Sequence, residues 1–388
     1  MTNKSLQIAV DNILKPIEQA AGMGREFYAN PAYADQERDL ILAKSWTALE
    51  LKSELPEKGH AKPMDLLNLP LLITHAEDGK IRVFHNICRH RGMRLVDTEG
   101  PIDGVISCPY HAWTYTLKGT LSGTPNVAGI GKHHSKHFNP SKYGLQEIAS
   151  AEFMNVLFIN LDGNAPPFEQ YFQPLKKHFY KLFGNNGFQQ IAMAETDNKA
   201  EFEVDCNWKL AVENFAEAYH LPALHPELNV TSPLDVHYNV IINENFAGQG
   251  TNNYNDQTQS AQLPMFSDWA NEHIKCAEYI CAYPNLLIGL HNNYAYVMIL
   301  CPLNSEQTLE KLEIFYIGEG AVAEKYESAR ATALHFWISV LSEDNSAIEG
   351  MQKGRRSPYY DGGVYAVPLE ECTHHFHQWI ANKLKSTL

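Results

Sequence analysis

The alternation of apolar and polar positions divides the chain into stretches of different texture. Residues 1–45 are helix-rich, with a break at Gly22 and Gly24. Over residues 46–160 short β-rich runs (LLITHAEDGKIRVFHNI, GVISCPYHAWTYTLKGTL, EFMNVLFINL) alternate with turn residues, and Glu77-Asp78-Gly79-Lys80 and Lys118-Gly119 predict hairpin turns. The pattern is that of a small antiparallel β domain, with a boundary at Pro166-Pro167. Beyond it the spacing predicts a helix over 208–220 stopped by Pro222, strands over 279–290, 294–300 and 309–317, and a long helix over 321–353. A last helix starts near Leu369, where Glu370 and Glu371 suit the positive helix N-terminus. Strands followed by helices in segregated order predict an α+β domain rather than a doubly wound sheet.

The 388-residue length agrees with two or three domains. The net charge of −14 argues against a nucleic-acid partner, which requires a basic footprint, and against docking on an anionic membrane. The cleanest apolar run, near 296–303, is too short to span a bilayer. The segment MTNKSLQIAVDNILKPIEQA has no basic flank followed by an apolar block, so no signal peptide is expected. Seven cysteines are an odd number for a disulfide scaffold. A reducing cytoplasm is the expectation, and clustered Cys and His then point to metal.

Two constellations carry chemistry. Cys88-x-His90 and Cys108-x-x-His111 are separated by seventeen residues, each pair beside a strand end. Two Cys and two His could hold structural zinc in a tetrahedron. Alternatively, two thiolates bind one iron and two imidazoles the other, as in a Rieske [2Fe–2S] cluster. The mixing of Cys and His within each pair, and the β context, favour the cluster over a zinc finger. The second constellation begins with His220 and His225, which can converge from a helix end and the loop beyond Pro222. In the long helix Leu334, Trp337, Leu341, Asp344, Ile348 and Met351 recur at three- and four-residue steps, which places Asp344 on the apolar stripe. A buried carboxylate is costly unless it is paired or binds metal. Two His and one carboxylate form the facial triad of non-heme Fe(II) oxygenases.

With both sets in hand, the chain resembles the α subunit of Rieske non-heme iron oxygenases over nearly its whole length. CRHRGMRLV and CPYHAWTY look like the two cluster motifs, NWKLAVENFAEAYH-x₄-H like the mononuclear iron motif, and SEDNSAIEGMQKG like the stretch with the third ligand. The resemblance implies an antiparallel β Rieske [2Fe–2S] domain (46–160) inserted into a helix-grip catalytic domain (165–388), with the 1–45 segment packing on the latter. It further implies that Cys88, His90, Cys108 and His111 bind the cluster, that His220, His225 and Asp344 bind mononuclear Fe(II), and that Glu217 bridges the two centres by hydrogen bonds to a ligand His on each side. Glu217, three residues before His220, is expected on the same helix face. Asn214 and Tyr219 are plausible supporting groups. A homotrimer follows, in which the cluster of one subunit serves the iron of the next, with electrons from NAD(P)H supplied through a flavin/iron–sulfur reductase.

Within that family the chain looks most like the choline, carnitine and glycine-betaine oxygenases, so the implied reaction uses O₂ to hydroxylate or N-demethylate a small quaternary ammonium substrate. Tyr283, Tyr294, Tyr296, Phe336 and Trp337 are candidate cation-binding aromatics. The alternative is hydroxylation or O-demethylation of an arene or aromatic acid. Ala112, where Gly is common, and Ser122, where Arg is frequent, depart from the pattern and are expected to be tolerated. His133, His134 and His137 are expected in a solvated loop; His374, His375 and His377 in a structural helix. Arg89, Arg91 and Arg94 suggest reductase docking or structural pairing.

Overall fold

The structure, a computed structural model, describes residues 3–385 except 195 and 197. It is α+β and divides into two compact units: residues 49–164 form one, and the residues up to Ala48 join those from Ala165 onward in the other.

In the smaller unit an antiparallel sheet runs in the order Thr47–Leu51, Val156–Asn160, Glu147–Phe153, Ile81–His85, Leu69–His75, His60–Leu66 and Gly100–Pro101. A three-stranded sheet comprises Ile106–Ser107, Thr114–Tyr115 and Leu121–Gly123. Both expected hairpin turns form, Gly79 and Gly119 taking φ of +74° and +79°. That left-handed region is open to glycine without steric cost. Arg94 pairs with Asp65 at 2.9 Å and Asp97 at 3.3 Å, and Arg89 donates to Gln146 at 2.8 Å, so both make structural contacts.

The larger unit is built on an eight-stranded antiparallel sheet. Its order is Ile191–Ala192, Gln307–Ile317, Tyr294–Asn304, Leu286–Leu290, Ala277–Ala282, Phe246–Thr251 and His237–Asn243, with Lys199–Val204 also on Gln307–Ile317. The helices Trp208–Phe215, Glu327–Arg355 and Glu371–Lys385 pack together. Buried ion pairs lock the first of these: Lys209 meets Glu37, and Glu213 accepts from Arg355 at 2.8 Å with His377 3.2 Å away. His374 reaches the Ile13 carbonyl, at the end of the Asn3–Ile13 helix, at 2.9 Å.

Three sequence-based boundaries need correction. The helix expected over 208–220 ends at Phe215, and Pro222 does not stop it. Pro222 instead lies in the first turn of a short helix, Leu221–Leu224, where its missing N–H costs nothing. The run 279–290 is two paired strands, Ala277–Ala282 and Leu286–Leu290, because Pro284 cannot donate to a ladder and Asn285 turns away to bond the Ala48 carbonyl at 2.8 Å. The long helix is Glu327–Arg355, starting six residues after Ala321, because Ala323 is extended (ψ 152°) and its carbonyl and that of Ala321 accept from Arg330. The final helix is Glu371–Lys385.

Candidate functional site

In the smaller unit two loops repeat one design. Cys88 N–H donates to the Met93 carbonyl at 2.7 Å and Gly92 N–H to the Cys88 carbonyl at 2.9 Å. Cys108 N–H donates to the Trp113 carbonyl at 2.8 Å and Ala112 N–H to the Cys108 carbonyl at 3.0 Å. Each loop thereby sinks its cysteine into the core and lifts its histidine to the surface. His90 and His111 stand with ring centroids 4.7 Å apart, and His90 stacks on Trp113. Tyr115 approaches Cys88 Sγ at 3.3 Å and accepts from Arg89 N–H at 2.9 Å. Burial pushes the Cys88 thiol pKa up despite the Tyr115 contact. Two buried thiols beneath two exposed imidazoles suit a cluster with its thiolate iron inside and its imidazole iron outside.

The repeat also shows a backbone cost at Ala112, where variation is expected to be tolerated. It has φ +52° and Gly92 has φ +75°. Alanine in that region costs about 1–2 kcal/mol. Ala112→Gly is therefore expected to stabilise the protein by about 1 kcal/mol, seen as a raised denaturant midpoint. Gly92→Ala should lower it by a similar amount, since a Cβ there meets nothing within 4 Å and only the backbone conformation objects.

In the larger unit His220, His225 and Asp344 converge, one donor atom from each lying within 4.8 Å of the others. His225 Nε2 is 2.8 Å and His220 Nε2 3.7 Å from Asp344 Oδ1. The other ring nitrogens face carboxylates: His220 Nδ1–H donates to Glu217 Oε1 at 2.7 Å and His225 Nδ1–H to Glu343 Oε2 at 2.5 Å. Asn214 Nδ2 donates to Asp344 Oδ1 at 2.9 Å. Carboxylates behind both imidazoles fix the tautomer that leaves each Nε2 lone pair facing inward, the arrangement metal-binding histidines use. Burial would lower the His225 pKa, yet the Asp344 and Glu343 carboxylates raise it. The pocket is electrostatically built for positive charge.

Glu217 lies in the turn after Phe215, not on a helix face as expected. Its second oxygen accepts from the backbone N–H groups of Tyr219 and His220, which clamps the carboxylate on the His220 ring. Tyr219 is exposed and contributes this backbone group. Glu343, next to Asp344, was not singled out from the sequence; a second acid beside a buried one was the available signal.

The cleft beside these residues spans about 430 Å³ when its solvent-open mouth is counted. The sheet supplies its floor. Directly paired residues on antiparallel strands face the same side, and the register sets Gln249 opposite Tyr279, Tyr279 opposite Gly289 and Gly289 opposite Tyr296. Glycine is required at 289, since a Cβ would sit 2.1 Å from the Tyr296 ring. Phe215, Tyr279, Tyr296 and Trp337 make an aromatic wall, with Trp337 4.6 Å from Tyr296 and 5.9 Å from Tyr279. Of the five aromatics expected there, Tyr296 and Trp337 line the cleft. Tyr294 lies behind, accepting from Trp337 Nε1 at 3.1 Å, Phe336 packs edge-on against Trp337, and Tyr283 packs on Phe376 and Trp379. Phe215 and Tyr279 were missed.

No described helix is long and apolar enough to cross a membrane. Residues 45–135 match the Rieske [2Fe-2S] domain, and residues 192–386 match the ring hydroxylating alpha subunit (catalytic domain). Choline monooxygenase of Atriplex hortensis is 26% identical over 392 aligned positions, covering 96% of this chain and 80% of that protein. The carnitine monooxygenase oxygenase subunit of Acinetobacter baumannii is 25% identical over 344 positions, covering 87% and 85%. The fold matches that of the quaternary ammonium Rieske monooxygenase CntA with L-carnitine at a TM-score of 0.74 and 22% identity, covering 96% of this chain and 98% of that one.

Proposed function

The chain belongs to the ring-hydroxylating alpha-subunit family, and on that premise we propose that it is the oxygenase component of a Rieske system acting on a small quaternary ammonium compound of the choline, carnitine or betaine kind. The observation that carries the substrate class is the four-ring wall of the cleft. Aromatic faces attract a methylated ammonium that cannot donate hydrogen bonds.

In this reading His220, His225 and Asp344 hold mononuclear Fe(II), and Cys88, His90, Cys108 and His111 hold the [2Fe–2S] cluster; a tetrahedral zinc site is set aside by the Rieske match. When bound, the iron supplies O₂ activation and the cluster supplies the electrons that activation consumes. The protein's own part is positional. Glu217 and Glu343 hold the imidazoles in one tautomer, Asn214 orients the Asp344 carboxylate, and the aromatic wall excludes water and sets a methyl group toward the metal side of the cleft. The Rieske domain is assigned to 46–160 and the catalytic domain to 165–388, with the 1–45 segment packing on it. A cytoplasmic homotrimer supplied by an NAD(P)H-dependent flavin/iron–sulfur reductase fits the surface exposure of His90, Tyr110 and His111, through which electrons can pass to an adjacent copy.

Product analysis tests the substrate class. The reconstituted enzyme, given reductase and NADH, is expected to oxidise one of choline, carnitine or glycine betaine, with formaldehyde released where an N-methyl group is hydroxylated. Turnover confined to arenes or aromatic acids would overturn it.

A further inference from the structure

Beside the aromatic wall the cleft has a polar side that the metal chemistry does not use. Ser232, His237 and Gln249 all line it. His237 Nδ1–H donates to Gln249 Oε1 at 2.6 Å, and Ser232 Oγ lies 2.8 Å from His237 Nε2. Burial lowers the His237 pKa, against smaller opposing effects of the Gln249 and Ser232 hydrogen bonds. A ring donating at Nδ1 accepts the Ser232 hydroxyl proton at Nε2, with the Ser232 carbonyl 3.2 Å from the same nitrogen. The relay thus consumes Gln249 Oε1 and leaves the Gln249 amide –NH₂ without a protein partner among the described residues, on a side chain lining the cleft. The ionisable groups lining the cleft are Glu217, Asp344 and three histidines; among the described lining residues there is no Lys or Arg.

Resting on the quaternary-ammonium reading above, we infer that Gln249 is a specificity-determining residue that hydrogen-bonds a neutral oxygen of the substrate, so that this chain acts on cationic alcohols in preference to zwitterions bearing a carboxylate. Gln249 stands directly across from Tyr279, one strand spacing away on the same sheet face. A two-carbon spacer between ammonium and oxygen bridges the aromatic wall and the amide. A hydroxyl is satisfied by such an amide, whereas a desolvated carboxylate needs a cation or several donors, and the cleft lining supplies no Lys or Arg to meet one. Ser232 and His237 act as positioning residues that hold the amide in one orientation.

The test compares three compounds on the holoenzyme with its reductase: choline, its oxygen-free analogue n-propyltrimethylammonium, and glycine betaine. The native enzyme is expected to favour choline over the analogue by roughly 3- to 10-fold in kcat/KM, the value of one neutral hydrogen bond, and to turn over glycine betaine least. Gln249→Leu should bring the choline-to-analogue ratio of kcat/KM to about 1, whereas a merely structural role would lower both values alike and keep the ratio. Equal losses on both compounds, or a native preference for glycine betaine, would overturn the inference. Where Gln249→Leu fails to accumulate, Gln249→Met, which keeps the length of the side chain and removes the amide, carries the same expectation. If the native enzyme oxidises no ammonium compound at all, the underlying substrate class fails, and this inference fails with it.

Discussion

Asp344→Ala is expected to abolish turnover and strip the mononuclear iron while leaving the visible absorption of the [2Fe–2S] cluster intact. The reason is local. Asp344 is the one carboxylate on which both His Nε2 atoms and the Asn214 amide converge, at 2.8, 3.7 and 2.9 Å. Removing it leaves two imidazoles with no anionic partner in the centre, and the pocket loses the charge that draws a divalent cation. The fall in kcat should exceed about 100-fold, the upper range for losing a group that merely orients a ligand. The cluster loops lie in the other compact unit and share no residue with this site, so iron analysis should show loss of the mononuclear iron alone. Full activity in this variant would refute the ligand assignment.

Glu217→Ala should produce the opposite separation, with both centres retained and communication between them lost. Glu217 makes one hydrogen bond to the His220 ring and is itself clamped by two backbone N–H groups. It therefore acts through His220 rather than on the substrate, and His220 keeps its place by virtue of the short helix behind it. The expected effect is an activity loss of about 10- to 100-fold, with near-normal iron content and slow reoxidation of the reduced cluster by O₂ and substrate. Glu217→Gln preserves an acceptor for His220 Nδ1–H and should recover part of the rate. A variant that loses its mononuclear iron instead would show Glu217 to be a support of metal binding only.

The parts of this site that were legible in the sequence are those encoded locally. Cys88 to His90 and Cys108 to His111 each fall within one tight loop, so their spacing is their geometry. Asp344 was visible because an acid interrupted an apolar helical stripe. Helix ends were less visible, as Pro222 illustrates: the same residue that forbids a helix interior opens a new first turn. Gln249, Tyr279 and Tyr296 become neighbours only through strand register across Gly289, and no periodicity within one strand shows what lies opposite it. His237 meets Gln249 across the adjoining strand pair, and Ser232 reaches His237 from the segment just before that strand. Glu343 escaped notice because it is exposed and off the apolar stripe, although its carboxylate holds His225.

The most direct measurement is a single turnover without reductase. The protein, loaded at both centres and chemically reduced, is mixed with O₂ and choline, and oxidised product and cluster colour are followed together. Product should form in proportion to the mononuclear iron present, with the cluster reoxidising in step. Reoxidation with no oxygenated product from choline, carnitine, glycine betaine or any aromatic compound would contradict the assignment of an oxygenase in which these two sets of residues act as one.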